Sequence, residues 1–397
     1  MDESRVQRSG EFRPELSGAD VPRDVAASVV VVSPIVPSAV GIAFLAWSPI
    51  SRNGERPAGF MTVTGEGSPS PSKRLISLGC LERSSGMPIL SIHHVTTYRY
   101  TRPVAFGEHR LMVRPREGHD QRLIEAELKI DPPPTDLRWL HDVFGNSVAI
   151  ARFDRRSDKL RFASHVRLEH IPMEASAVEV EDYARCYPFT YSSEDMPDLL
   201  RSIERGHHDP YRVIDDWAGQ FVRRDGQTDT LAMLAELTRA IRRDLTYIPR
   251  HEKGTQTPLE TLQKRQGTCR DYAVLMIEAA RALGLAARFV SGYVYAPSAR
   301  EGRVGGGNTH AWVRIFLPGS GWIEFDPTNG IVGSVGLVRV AVARDPYQAV
   351  PLSGTFSGFP GSYVGMDISV EIAMDGQTPS AAAAATTLNP HLLQGRI

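Results

Sequence analysis

The sequence predicts an α+β protein, in which a small antiparallel β domain precedes a core made of a cysteine-bearing helix packed on an antiparallel sheet. Three observations predict it. Short segments rich in β-branched and aromatic residues, separated by turn formers, fill 88–172. Amphipathic helical periodicity then takes over, and strand patterns return from Phe289 onward.

Residues 1–86 read differently from the rest. They hold scattered charges and turn formers such as Gly65-Glu66-Gly67-Ser68-Pro69. The apolar stretch 25–50 is long enough to span a membrane, yet Pro34, Pro37 and Pro49 interrupt it and no clean cleavage site follows a basic start. The expectation for 1–86 is a low-complexity or disordered extension, or translated sequence upstream of a true start at Met87.

In the β domain the expected strands are 90–100, 109–114, 123–130, 147–153 and 160–168. Asp131-Pro132-Pro133-Pro134 and Phe144-Gly145-Asn146 mark turns between them. The catalytic domain is expected over 173–373. Its first helices are 195–203, 210–222 and 229–245, the last with Leu231, Leu234, Thr238, Ile241 and Leu245 on one face. Thr257-Pro258-Leu259-Glu260 is a helix start: Thr257 caps, Pro258 suits the first helical position and Glu260 closes a capping box. Strands are expected at 289–295, 310–316, 322–325, 338–342 and 368–373, and a flexible tail over 374–397, with its run of alanines at 381–385.

Composition narrows the function. With 45 Lys and Arg against 46 Asp and Glu, the chain has no basic excess to hold nucleic acid or an anionic membrane, so neither is an expected partner. Cys80, Cys186 and Cys269 are the only cysteines, and none forms a CxxC pair. An odd, sparse set argues against a disulfide framework and fits a reducing cytoplasm. A lone cysteine with distant histidine and carboxylate partners is a candidate nucleophile.

Cys269 has the right place for that role. It opens a helix in which Cys269, Tyr272, Met276, Ala279, Ala280 and Leu283 share one face, Arg270, Glu278 and Arg281 share another, and Gly284 supplies the stop. A helix N-terminus carries free N–H groups and partial positive charge, which favour thiolate and can bind a developing oxyanion. Read alone, Cys269 is equally a small apolar core residue.

The partners lie on a hairpin. His310-Ala311-Trp312-Val313-Arg314-Ile315-Phe316 runs into the turn Leu317-Pro318-Gly319-Ser320-Gly321, and Trp322-Ile323-Glu324-Phe325-Asp326 returns. A loop of about five residues suits even-sum pairing, whereas an odd sum would put His310 and Asp326 on opposite faces. Partners summing to 636 put His310 directly opposite Asp326; partners summing to 638 make them diagonal neighbours and set Arg314 against Glu324. Either register brings both side chains to one face. A carboxylate that orients an imidazole, which takes the thiol proton, is what nucleophilic cysteine chemistry requires. Gly305-Gly306-Gly307 allows the preceding backbone to approach a substrate closely.

These residues resemble the transglutaminase-like superfamily, in particular its bacterial members of the cysteine-protease type. The resemblance rests on Gly267-Thr268-Cys269-Arg270-Asp271-Tyr272, Ala287-Arg288-Phe289-Val290-Ser291-Gly292-Tyr293, Thr309-His310-Ala311-Trp312-Val313 and Gly321-Trp322-Ile323-Glu324-Phe325-Asp326-Pro327-Thr328-Asn329. His94-Val95-Thr96-Thr97-Tyr98-Arg99-Tyr100 and Tyr187-Pro188-Phe189-Thr190-Tyr191 resemble the β-rich region that accompanies this core in bacteria. The likeness spans about 87–373. It implies a papain-like fold and a Cys269-His310-Asp326 triad, with no metal or organic cofactor. It also implies thioester chemistry on the amide bonds of a protein or peptide. Trp312 and Trp322 are candidates to wall the acyl site, against a plainer reading as strand packing. The glycine-containing stretch 296–308 reads as a mobile loop over the cleft.

Peptidase or amidase chemistry is the leading reading, since water is always present and no acceptor pocket is legible. Protein-glutamine amine transfer and a non-catalytic binding module are the alternatives. The adjacent pairs His207-His208 and His93-His94 lack the spacing that aims two ligands at one metal.

Overall fold

The computed structural model describes residues 88–250, 254–296, 303–375 and 386–387, all within one compact unit. The expected extension 1–86, Cys80 within it, and most of the expected tail lie outside the described residues. No described helix is long and apolar enough to cross a membrane.

The first sheet is organised by one long strand, β1 (Ile89–Leu111), which merges the two strands expected at 90–100 and 109–114. Its first half is flanked by β5 (Arg156–His170), and its second half reaches β4 (Ser147–Arg152) past a register shift after Arg99. A bulge of this kind lets one strand bend and serve two sets of neighbours. β2 (Gln121–Asp131) pairs outside β5, and β3 (Asp136–His141) pairs outside β4. Leu90, Ile92, Val166 and Leu168 turn inward from β1 and β5 and are buried.

Five α-helices follow among the described residues: α1 (Met196–Ile203), α2 (Val213–Gly219), α3 (Thr230–Asp244), α4 (Pro258–Lys264) and α5 (Cys269–Ala282). α3 is capped by the Asp229 carboxylate, and α4 by the Thr257–Glu260 capping box read from the sequence. α5 is buried all round rather than on one stripe. Glu278 and Arg281, expected on a polar face, are both buried and bridged at 3.1 Å. Arg205 and the Gly206 amide also bond Glu278, and that set of partners is what allows the charges to enter the core.

The second sheet orders β8 (Gly321–Asp326), β7 (Thr309–Leu317), β6 (Ala287–Val294) and β9 (Leu337–Ala343), with Ile331–Val332 outside β8. Odd residues of the hairpin, Ala311, Val313, Ile315, Ile323 and Phe325, join the core around α3 and α5. Even residues face the other way. Arg314, Glu324 and Arg339 form an ion-paired chain there that reaches Asp120 of the first sheet's connections. Tyr293 and Tyr295 of β6 and its end bond His94 and His170, each at 2.9 Å.

The chain then returns to the first sheet. β10 (Leu352–Ser357) and β11 (Tyr363–Met374) both pair with β1, Leu90 opposite Met374. The strand expected at 368–373 thus belongs to the β-rich sheet, and the core of 173–343 is inserted between that sheet's early and late strands. The pairing partners are hundreds of residues apart, so no local pattern announces them.

Candidate active site

Cys269 is the first residue of α5, and its helix end is firmly built. Thr268 caps with its hydroxyl, and Asp271, fully buried, reaches back to the Thr268 amide at 2.8 Å. The same carboxylate accepts from the Gln256 amide at 2.6 Å and from Arg250 at 2.9 Å. The start of the helix is therefore cross-linked to the segment before α4, and Cys269 sits on a rigid element.

The hairpin takes the register in which partners sum to 638: Val313 faces Phe325, and Arg314 faces Glu324 with an ion pair at 3.2 Å. The turn is tighter than expected, because Leu317 pairs with Gly321 and leaves only Pro318, Gly319 and Ser320 in the loop. Parity brings His310 and Asp326 to one face, and His310 Nε2 donates to Asp326 Oδ2 at 2.9 Å. Both are shut off from solvent, at 1% and 0% exposure.

Asp326 is saturated with donors. Besides His310, it accepts from the Thr328 amide at 2.9 Å, the Asn329 amide at 3.3 Å and the Asn329 side chain at 2.8 Å. Burial works against its charge, but His310 and these donors hold its carboxyl below the ordinary range. His310 responds in the opposite sense: burial alone lowers it, and Asp326 together with Cys269 raises it well above an ordinary histidine. Burial likewise raises the Cys269 thiol, and His310, Arg270 and the Ala311 backbone more than reverse that. All three directions favour a thiolate beside an imidazolium held by a carboxylate.

Tyr247 adjoins the same centre. It pairs with Gly267 in a short parallel ladder, and its ring stands edge-on to Tyr272 at 6.4 Å between centroids. Burial first, then the neighbouring Cys269, pushes its hydroxyl up to about 12, so it remains a hydrogen-bond donor at neutral pH. Tyr247 was not among the residues singled out from the sequence. A tyrosine in a two-residue strand just beyond α3 carries no local signal, and the pairing with Gly267 brings it toward the cysteine.

The two tryptophans are placed differently from one another. Trp312 is fully buried among Val290, Val294, Leu337 and Val342, and its ring stacks on His310 with centroids 6.0 Å apart. Gly292 leaves room for it, since a Cβ there would meet the indole at 2.6 Å. Trp312 thus supports the imidazole and presents no surface to a substrate in this state. Trp322 lies toward the turn end of the hairpin, packed on Phe316 and under the Arg288 guanidinium at 4.0 Å. Strand packing accounts for both positions.

Of the stretch 296–308, residues 297–302 lie outside the described residues. Gly305 comes close to His310, as its sequence permits, with φ at +93°. Among the described residues no three His, Cys, Asp or Glu side chains gather as a metal site would require. His93 and His94 alternate on β1, and His207 lies beside Glu278.

Comparison with known proteins agrees with this architecture. Residues 90–169 match the model of the bacterial transglutaminase-like N-terminal region, and 216–327 match that of the transglutaminase-like superfamily. An uncharacterized protein of Mycobacterium tuberculosis is 26% identical over 319 residues, covering 73% of this chain and 96% of that one. One from Mycobacterium leprae is 26% identical over 287 residues, covering 71% and 98%. Among solved structures, a candidate cysteine protease from Cytophaga hutchinsonii superposes with a TM-score of 0.55 at 19% identity, covering 77% of this chain and 96% of that one. With both regions matched in order on one chain, this protein is similar to the transglutaminase-like superfamily with its bacterial N-terminal region, and it shares the fold of the Cytophaga structure.

Proposed function

We propose that the chain is a cysteine-dependent hydrolase of amide bonds in peptides or proteins, working through a thioester on Cys269. The observation that carries this reading is the buried His310–Asp326 pair at 2.9 Å, coupled to a thiol whose pKa is lowered at a helix N-terminus. The Cys269 thiolate attacks the substrate carbonyl carbon, and the carbonyl π electrons move to oxygen. Backbone N–H groups at the start of α5 donate to that developing charge, with the Tyr247 hydroxyl, which feels the Cys269 charge, as a further donor. Collapse of the intermediate breaks the C–N bond, and His310 gives its proton to the departing nitrogen. Water, deprotonated by His310, then attacks the thioester carbon, and the thiolate leaves as a carboxylic acid forms. Asp326 holds the imidazole in place through both of its protonation states. The free state of Cys186 and Cys269 fits the cytoplasmic setting read from cysteine usage.

Intact-mass labelling with iodoacetamide tests the nucleophile. Cys269 is expected to react far faster than Cys186 near neutral pH, and His310→Ala should remove that advantage. Equal rates at both thiols in the natural chain would leave a non-catalytic module on the same fold. For the second step, ammonia and free carboxylate are measured on a glutamine peptide with and without a primary amine. Incorporation of the amine in place of water would overturn hydrolysis in favour of transfer.

A further inference from the structure

We propose that Asn329 is a positioning residue whose side chain ties the 303–308 segment to the triad acid, so that Asp326, His310 and the glycine backbone above the imidazole are held as one unit. The inference rests on the triad reading and extends it to a residue outside the triad.

An asparagine amide has two N–H donors and one carbonyl acceptor. At Asn329 all three are used. One N–H donates to Asp326 Oδ2 at 2.8 Å, the other to the Val304 carbonyl at 3.2 Å, and Oδ1 accepts from the Val304 amide at 2.9 Å. A single buried side chain therefore contacts the catalytic acid on one side and closes a two-point clamp on a loop backbone on the other. The Asn329 backbone is fixed as well: its amide donates to Asp326 Oδ1, and its carbonyl accepts from Arg242 of α3.

The clamped loop leads directly to the imidazole. A Cβ built on Gly305 would stand 2.6 Å from His310 Nδ1, so only a glycine lets the backbone lie so close. Nε2 is committed to Asp326, and buried Nδ1 meets no acceptor among the described residues that competes with the Cys269 thiol. The loop thus shields the nitrogen that must exchange a proton with sulfur, and leaves it without a competing acceptor. Further along, Gly307 offers its carbonyl to the Val370 amide of β11 at 3.1 Å, which anchors the loop at a second place.

Asn329→Leu keeps the size of the side chain and removes all three bonds. Asn329→Gln keeps the amide. Gly305→Ala leaves Asn329 untouched and crowds Nδ1. Each is compared with the natural chain in Cys269 alkylation from pH 5 to 9 and in tryptic cleavage after Arg303, with folding checked by circular dichroism. Asn329→Leu is expected to slow alkylation at pH 6 by at least about tenfold, the worth of one charge-assisted hydrogen bond. It should also move the midpoint to higher pH and speed cleavage after Arg303. Asn329→Gln should recover part of both, and Gly305→Ala, which crowds Nδ1 from a partly exposed loop position, should slow alkylation. An unmoved midpoint overturns the positioning role, and an unchanged cleavage rate overturns the tie to the loop. If Asn329→Leu does not fold, natural alkylation in Gly305→Ala overturns the inference. A natural chain in which Cys269 reacts no faster than Cys186 would instead defeat the triad reading itself, with cleavage after Arg303 still deciding the clamp.

Discussion

His310 and Asp326 meet across a hairpin as diagonal neighbours, not as a directly opposed pair, with Arg314 and Glu324 taking the opposed position two residues further in. The diagonal offset lets the carboxylate approach Nε2 and leaves Nδ1 turned away from it. Removing the charge while keeping the shape tests this. Asp326→Asn should keep the fold and cut turnover by at least about a hundredfold, because the imidazolium loses its counter-charge and its tautomer is no longer dictated. Steady-state kinetics on a peptide amide, with alkylation of Cys269 alongside, measures it. Unchanged turnover would show that the pair is structural.

The pH profile of alkylation follows from the coupled shifts. Cys269 is lowered and His310 is raised, so the thiolate–imidazolium pair should persist below the pH at which an ordinary thiol protonates. Cys269 is expected to keep its reactivity at pH 6, where a small-molecule thiol loses most of its own. A Cys269 profile that overlays the profile of a free thiol would contradict the pairing.

Tyr247→Phe removes one hydroxyl and little volume. If that hydroxyl donates to the oxyanion, kcat should fall by about tenfold to a hundredfold with KM little changed. A rise in KM at constant kcat would assign Tyr247 to ground-state binding instead.

Two buried histidines give a stability prediction. His94 and His170 are lowered to about 4, chiefly by burial, with His93 acting further on the first. Both are lowered in the folded chain, so the unfolded chain binds protons first as pH falls from 6.5 toward 4, and stability drops over that window. The limit is about 3 kcal/mol for each histidine. Urea midpoints at pH 7 and pH 4.5 should differ sharply in the natural chain and less in a His94→Gln/His170→Gln variant, which cannot titrate at those positions. Equal acid sensitivity in both would place the effect elsewhere.

The buried Glu278–Arg281 bridge predicts a large effect from a small change. Arg281→Met removes one charge of the buried bridge and leaves Glu278 with Arg205 and the Gly206 amide, which should cost about 3 kcal/mol in thermal or chemical denaturation. A loss under 1 kcal/mol would mean that Arg205 and the Gly206 amide suffice for Glu278.

What the sequence disclosed were features with local causes. Thr257 and Glu260 announce a helix start within four residues, and Gly284 announces a stop. The alternation of Ala311, Val313 and Ile315 fixes which face His310 occupies, so a shared face with Asp326 could be read from parity alone. What stayed hidden had distant causes. Glu278 and Arg281 look like surface charges until Arg205 and Gly206 are brought from another loop. β3, with Asp136, Arg138 and Trp139 exposed on an edge, lacks the alternation that marks a half-buried strand. Trp312 looked like a possible wall for substrate because its own strand cannot reveal that Gly292 opens a buried slot for it.

Because Leu90 is hydrogen-bonded in register with the region of Met374, the β-rich region cannot close while the ribosome is still making the core. Its long first strand waits with an open edge until β11 emerges. Nascent chains stalled before residue 352 should therefore expose that edge to chaperones and proteases, and should acquire protection only when β11 has left the exit tunnel.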